Sequence, residues 1–380
     1  MTQKNNLFSK IVINLVLVTF SILTCLVAVE GYLRFINYNP MQDLLKGREL
    51  ILKKSLNEDV QYELTPNASG LAWRTQVKIN SLGFRDKEYD VNKGDKYRII
   101  AIGDSITFGN SLLLEDTYPK VLEEMLATKN KKIEVLNFGV GGYSALNAIA
   151  LLEYKGLKFK PDLIVYCFCV NDLGVVSPNL EYIERLEQVK NSLLCRLRTI
   201  QFLSQKWERL QLQSFTERIN KEESFGQYYK GKIIPVQGDS ELKKISKEMQ
   251  EGLIKNNVAR DNMLWWYTSP NHMGFLDYAF KKLSHLRLKN HFEVIIILIP
   301  ILNSYNADAW DKAYQIVSFE AKKYGFGIFN MNDDFKNAGF DKLKIIDDIH
   351  PNKRGHVLIA KRLYALSSLF FTSSAHHSLP

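Results

Sequence analysis

The chain has 380 residues, of which 46% are hydrophobic and 24% charged, which is typical of a globular protein with one large domain and attachments. Its net charge of +9 would suit an anionic partner, but Lys and Arg are interleaved with Glu and Asp. The sequence carries no basic stripe, zinc knuckle or RNP-like motif, so we predict no nucleic-acid partner.

The amino terminus predicts a membrane anchor. Lys4 and Lys10 precede an uncharged apolar run over residues 11–29. At about 1.5 Å per residue, such a run spans roughly the ~30 Å hydrocarbon core of a bilayer, whereas a cleaved signal peptide has a shorter apolar region. We expect residues 1–35 to form a cytoplasmic tip and a transmembrane helix, with the rest of the chain periplasmic or at the cell surface. A buried core helix is the alternative.

Residues 36–95 are predicted to form a stalk and a small lead-in layer. The stretch from Glu30 to Lys54 looks like a helical stalk. Farther along, Trp73, Val77 and Ile79 alternate with polar residues in the manner of a short strand.

From residue 96 to 372, apolar strands alternate with amphipathic helices, which predicts an α/β domain with a parallel sheet. Strands are expected at 97–102, 133–138, 163–168, 294–299 and 327–331, and helices at 119–128, at 143–155 and from after residue 351 to about 369. The long connection between the third and fourth strands predicts a helical insertion over about 175–290. The tail, 373–380, is predicted to be disordered.

The four cysteines do not form a disulfide pattern. Cys25 lies in the apolar run, Cys167 and Cys169 lie two apart in a predicted strand, and Cys195 lies in a helical region. A bridge between alternate strand residues would strain the backbone, so we interpret all four as free thiols.

A serine follows the first strand of the predicted sheet, in the sequence Gly103-Asp104-Ser105. In an open parallel sheet, ligands bind at the carboxyl ends of the strands, so this serine is a candidate nucleophile. The alternative is an ordinary turn or capping serine.

A histidine that could activate the serine lies just before the last helix, in Asp347-Asp348-Ile349-His350-Pro351. A serine hydroxyl is a weak nucleophile, and it needs a neutral imidazole as base and an acid that orients the imidazole. Asp347 is the better-placed acid, and Asp348 is the second candidate. A surface Asp and His in front of a helix are the alternative.

Donors for an oxyanion are expected after the second and third strands. The glycine-rich turn at residues 139–142 could offer the Gly142 N–H, and Asn171 could offer its side-chain amide. The same turn could hold a phosphate, but the Lys-Ser or Lys-Thr of a P-loop does not follow it.

These motifs, in this order, resemble the four sequence blocks of the SGNH hydrolase superfamily, also called GDSL esterases and lipases. The resemblance covers about residues 96–368, without the insertion. It implies a flavodoxin-like three-layer α/β/α sandwich with a five-stranded parallel sheet. It also implies Ser105, Asp347 and His350 as the catalytic triad, and Ser105, Gly142 and Asn171 as the oxyanion hole.

Two positions depart from the family pattern. Cys169 stands where the family usually has glycine, and Ile106 replaces the leucine of the GDSL signature. The first departure affects the turn that aims Asn171. The sequence at 80–86, Asn-Ser-Leu-Gly-Phe-Arg-Asp, resembles the lead-in of membrane-tethered bacterial members.

The sequence therefore predicts a membrane-anchored serine hydrolase acting on carboxylic esters, either lipid esters or O-acylated envelope glycans. An O-acyltransferase with the same triad and a catalytically silent membrane scaffold are the alternatives. We predict no cofactor and no metal, because the remaining histidines lack partners at metal-ligand spacing. The cluster Trp265, Trp266 and Tyr267 is more typical of a core than of a substrate cleft.

Overall fold

The computed structural model describes residues 2–36, 38, 51–72, 74–128, 132–174, 183, 197–200, 202–203, 240–258, 263–302, 307–345 and 349–371. The chain divides into two compact units. The first contains Met1–Lys46 and Glu184–Thr216, and the second contains Gly47–Ile183 and Glu217–Pro380.

The first unit contains the long helix α1, Thr2–Phe35. Within the described part of the chain, its segment Lys10–Phe35 is the one helix long and apolar enough to cross a membrane. Its large apolar side chains between residues 11 and 29 are exposed, from 42% at Val12 to 72% at Val27. A helix buried in the core would hide these side chains, so the core-helix alternative does not hold.

A carboxylate near the end of α1 holds a second segment of the first unit. The Glu30 carboxylate accepts hydrogen bonds from the Arg198 N–H at 3.1 Å, and from the Thr199 N–H and hydroxyl at 2.8 Å each. This arrangement caps the helical turn that begins there. The described residues 197–200 of the predicted insertion therefore group with α1.

The lead-in layer of the second unit consists of antiparallel hairpins rather than a continuous stalk. Strand β1, Leu52–Lys54, pairs with β2, Tyr62–Leu64, and β3, Ser69–Ala72, pairs with β4, Thr75–Lys78. The helix predicted up to Lys54 is wrong for residues 52–54, because these residues pair with β2 and only Leu52 is buried. Trp73 lies outside the described residues.

The main sheet has five parallel strands: β5 Tyr97–Gly103, β6 Ile133–Gly139, β7 Leu163–Phe168, β8 Glu293–Leu298 and β9 Gly327–Asn330. Their order is β6-β5-β7-β8-β9, which is the flavodoxin-like order. The five predicted strands are confirmed to within two residues. Continuous apolar runs made them recognisable, since both faces of the sheet are covered.

Helices cover both faces of this sheet. They are α2 Ser105–Phe108, α3 Tyr118–Ala127, α4 Ala145–Leu151, α5 Ser240–Lys255, α6 Pro270–Asn290, α7 Ala307–Lys323, α8 Asn332–Ala338, α9 Phe340–Leu343 and α10 Lys353–Phe371. Alternate residues of β5 enter separate cores. Ile99 packs in the core with α3 and α10, and Ile100 in the core with α4 and α6. The predicted three-layer sandwich is confirmed.

The helix predicted over 143–155 is shorter in the structure. Ser144 caps α4, because its hydroxyl accepts a hydrogen bond from the Asn147 N–H at 3.4 Å while the Asn147 side chain accepts from the Ser144 N–H at 3.1 Å. After Leu151 the chain widens into a π-helical turn that ends at Gly156. This capping pair fixes the start of α4 directly after the glycine-rich turn.

Candidate active site

The candidate nucleophile begins the short helix α2 at the carboxyl end of β5. Asp104 caps this helix, because its Oδ1 accepts a hydrogen bond from the Ile106 N–H at 2.9 Å. Ser105 is 8% exposed. A Cβ at Gly139, on the neighbouring strand β6, would lie 2.2 Å from the Phe108 nitrogen, so only glycine lets α2 approach this closely.

The structure brings Ser105 and His350 together across 245 residues of sequence. The Ser105 Oγ lies 2.7 Å from the His350 Nε2, and the imidazole is half-buried. Backbone hydrogen bonds hold the loop in front of α10: the Ile345 N–H donates to the His350 carbonyl at 2.9 Å, and the Asn352 N–H to the Leu343 carbonyl at 2.7 Å. At this distance a neutral imidazole can accept the hydroxyl proton.

The acid of the expected triad cannot be placed in the same way. Asp347 and the second candidate, Asp348, lie outside the described residues. The role of either carboxylate therefore stays a prediction from the sequence.

Asn171 lies beside the nucleophile, in the short turn Val170–Leu173 that follows β7. Its Nδ2 donates a hydrogen bond to the Asp104 Oδ2 at 3.2 Å, and the Ser105 Oγ lies 3.1 Å from that same oxygen. The amide and the nucleophile thus converge on one carboxylate oxygen. This places the Asn171 side chain within reach of a substrate held at Ser105.

Gly142 lies in the turn that follows β6. It is exposed and has a φ of +81°, a left-handed conformation that favours glycine. The Val140 N–H ties this turn to the nucleophile loop by donating to the Gly103 carbonyl at 3.2 Å, and the Tyr62 hydroxyl donates to the Gly141 carbonyl at 2.9 Å. The turn is therefore fixed beside β5, and donation from the Gly142 N–H stays a prediction.

The lead-in sequence at 80–86 clamps the segment after the nucleophile helix. The Arg85 guanidinium, on a residue only 2% exposed, donates hydrogen bonds to the carbonyls of Phe108 at 2.8 Å, Gly109 at 2.7 Å and Leu112. Burial lowers the pKa of Arg85 to about 10, so it remains a cation at neutral pH. The sequence showed this stretch only as a family resemblance, and it gave Arg85 no role.

A second buried acid lies behind Ser105. Asp172, adjacent to Asn171, accepts a hydrogen bond from the Tyr166 hydroxyl at 2.7 Å. Asp104, Cys169 and Asp172 each have one oxygen or sulfur atom that could bind a metal ion, and these three atoms lie within 4.8 Å of one another. All three residues are buried, and both Asp104 oxygens accept hydrogen bonds. The only sequence signal for Asp172 was the Asn-Asp dipeptide.

The aromatic cluster of the insertion supports this region from below. Tyr267 is fully buried, and its hydroxyl donates to the Val170 carbonyl at 2.7 Å. The Trp266 ring stacks on His272 with 5.5 Å between ring centroids, and it also approaches Gly174. These side chains pack as core beneath the Asn171 turn, as the sequence pattern favoured.

Residues 101–220 match the GDSL-like Lipase/Acylhydrolase family. The matched segment contains Ser105, Gly142 and Asn171, and it ends before His350. A comparison with curated protein sequences gives no match.

Several solved esterase structures are similar to parts of the chain. The psychrotrophic esterase EstA from Pseudoalteromonas sp. is 12% identical, with a TM-score of 0.39, and the match covers 73% of this chain and 100% of that one. TesA is 12% identical, with a TM-score of 0.39, and the match covers 72% and 99%. The acetyl xylan esterase AlAXEase is 15% identical, with a TM-score of 0.37, and the match covers 70% and 98%.

Proposed function

We propose that the chain is a serine esterase in which Ser105 attacks the ester carbonyl while His350 takes its proton, and the match of residues 101–220 to the GDSL-like Lipase/Acylhydrolase family supports this proposal. The observation that carries the proposal is the 2.7 Å distance between the Ser105 Oγ and the His350 Nε2. Asp347, three residues before His350, is the proposed partner of the imidazole.

The proposed reaction has two halves. Ser105 attacks the carbonyl carbon as its proton passes to the His350 Nε2, and the tetrahedral oxyanion accepts hydrogen bonds from the Ser105 N–H, the Gly142 N–H and the Asn171 amide. His350 then returns the proton to the departing alkoxide, which leaves as an alcohol. Water, activated by the same imidazole, hydrolyses the acyl-serine and frees the carboxylic acid.

We also propose that α1 anchors the enzyme in a membrane, with the esterase domain on the outer side. Lys4 and Lys10 on the short amino-terminal segment support this orientation, since basic residues favour the cytoplasmic side. A tethered site meets esters near the bilayer at high local concentration. The proposed substrates are therefore lipid esters or O-acylated envelope glycans.

A panel of esters tests the activity on the full chain in detergent micelles or nanodiscs. We expect hydrolysis of p-nitrophenyl esters, with the preferred acyl length separating acetyl-glycan from lipid substrates. Ser105→Ala and His350→Ala should each lower kcat by about 10⁴-fold or more, whereas the exposed-site control Ser240→Ala should match the wild type. Equal hydrolysis by wild type and Ser105→Ala would refute the proposal.

The membrane orientation has its own test. Protease added to intact spheroplasts should digest the esterase domain, and alkaline carbonate should fail to extract the undigested chain. A domain that stays protected until the spheroplasts are lysed would contradict the proposed orientation. Extraction by carbonate would contradict the anchor.

A further inference from the structure

We propose that Asp172 carries a proton in the resting enzyme and acts as a positioning residue that holds the Asn171 turn against Asp104 beside the nucleophile. This inference rests on the proposed function of Ser105. It assigns a task to a buried acid that the reaction described above does not use.

The geometry places Asp172 in the frame of the Asn171 turn. It is 1% exposed, and its Oδ2 accepts the hydrogen bond from the Tyr166 hydroxyl on β7. Its Oδ1 is buried and has no hydrogen-bond partner among the described residues. Tyr166 and Tyr267 thus fasten the turn at Asp172 and at the Val170 carbonyl, on either side of Asn171.

The charges around Asp172 explain why it is neutral. The titratable groups that face it are Asp104, Cys169, Tyr166 and Tyr267, and none of these is a cation at neutral pH. Burial, and then the Asp104 charge, raise the pKa of Asp172 well above its usual value, against the smaller opposing effects of the Tyr166 hydroxyl and the Cys169 backbone.

The two carboxylates of this pair differ in the donors that reach them. The Asp104 carboxylate accepts hydrogen bonds from the Ile106 N–H and the Asn171 amide, whereas the Asp172 Oδ2 accepts one from the Tyr166 hydroxyl and the Asp172 Oδ1 has no partner among the described residues. Hydrogen bonds to a carboxylate favour its ionised form, and two carboxylates this close in a buried site do not both ionise. The shared proton therefore resides on Asp172.

The neutral state of Asp172 matters for catalysis. The Asp104 carboxylate lies 3.1 Å from the Ser105 Oγ, and the tetrahedral oxyanion forms next to that same hydroxyl. A second negative charge on Asp172 would raise the energy of that oxyanion. It would also repel Asp104 and so displace the Asn171 amide, which is hydrogen-bonded to Asp104. Loss of the Asp172 proton should therefore lower kcat and leave KM unchanged.

Two variants separate positioning from simple packing, with the exposed-site variant Asp95→Asn as a control. Asp172→Asn keeps the shape without the charge, so we expect kcat within about threefold of wild type and no decline at alkaline pH. Asp172→Ala releases the turn, so we expect kcat to fall about 10- to 100-fold at constant KM, below the full cost of losing one oxyanion donor. The wild type should lose kcat at alkaline pH.

Infrared spectroscopy supplies a readout that needs no turnover. The wild type should show the carbonyl stretch of a buried protonated carboxylic acid, and Asp172→Asn should lack it. The inference is overturned if this band is unchanged in Asp172→Asn, if both variants lose kcat equally, or if the wild type binds a stoichiometric metal ion that Asp172→Asn loses. A wild type that binds no such metal and shows the band but hydrolyses no ester would refute the proposed function instead.

Discussion

Replacing Arg85 with alanine tests how the lead-in layer supports the nucleophile. The change removes the donors to the carbonyls of Phe108, Gly109 and Leu112, all in the segment that ends or follows α2. A buried acceptor left without a partner costs about 1–3 kcal/mol, and water entering the cavity offsets part of this. We expect the free energy of unfolding to fall by about 3–5 kcal/mol.

Thermal unfolding of the full chain in detergent measures this loss. One kcal/mol shifts the Tm by about 2–4 °C in a domain of this size class, so Arg85→Ala should lower the Tm by about 6–20 °C. The Tm of Arg85→Lys should lie between those of the wild type and Arg85→Ala, because one ammonium group cannot reach all three carbonyls as the guanidinium does. In folded Arg85→Ala protein, kcat should also fall because the end of α2 loosens.

The exposed Arg354 provides the matched control. Arg354→Ala should leave the Tm within about 2 °C of wild type, since surface substitutions usually change stability by less than about 0.5 kcal/mol. If Arg85→Ala melts as close to wild type as this control, the three carbonyl contacts do not stabilise the segment and the reasoning fails.

Two further predictions concern packing and pH. Gly139→Ala should lower kcat at least tenfold, because its Cβ would displace the Phe108 backbone. Gly252→Ala is the matched control: nothing lies within 4 Å of its new Cβ, so it should stabilise α5 by about 0.5–1 kcal/mol. Steady-state kinetics measure kcat, and thermal melts measure the stability of each variant. A Gly139→Ala enzyme as active as Gly252→Ala would contradict the packing argument. His356 is buried with its pKa lowered to about 3, so stability should fall from about pH 6.5 towards pH 3 as the unfolded chain takes up a proton. Denaturant unfolding should show that the free energy of unfolding declines less with falling pH in His356→Asn than in the wild type. Equal declines in the two proteins would refute this prediction.

Sequence patterns were sufficient for the sheet but not for the lead-in layer. Strands such as β7, buried at every position, appear as continuous apolar runs that local periodicity reveals. Residues 52–54, Leu-Lys-Lys, have no alternating pattern that would show a strand, and their pairing with β2 depends on tertiary contacts that the sequence does not display. Local propensity was overridden there by tertiary contacts.

The candidate site was predicted where motifs follow strands. Ser105, Asn171 and Gly142 each lie just past the carboxyl end of a strand, so topology alone places them on one edge of the sheet. The contacts of Asp104, Arg85 and Asp172 were missed, because their function depends on burial and on partners far away in sequence. The sequence does not show which carboxylates become buried away from water in the folded chain.

The most direct test of the account is the location of a covalent adduct on the full-length chain. A fluorophosphonate should react with the wild type, and peptide mass spectrometry should find the phosphonyl group on Ser105. Ser105→Ala should remain unlabelled. His350→Ala should react far more slowly, because in that variant the Ser105 hydroxyl lacks the imidazole base that lies 2.7 Å away in the wild type. An unreactive wild type, or an adduct on any other residue, would contradict the assignment of Ser105 as the nucleophile.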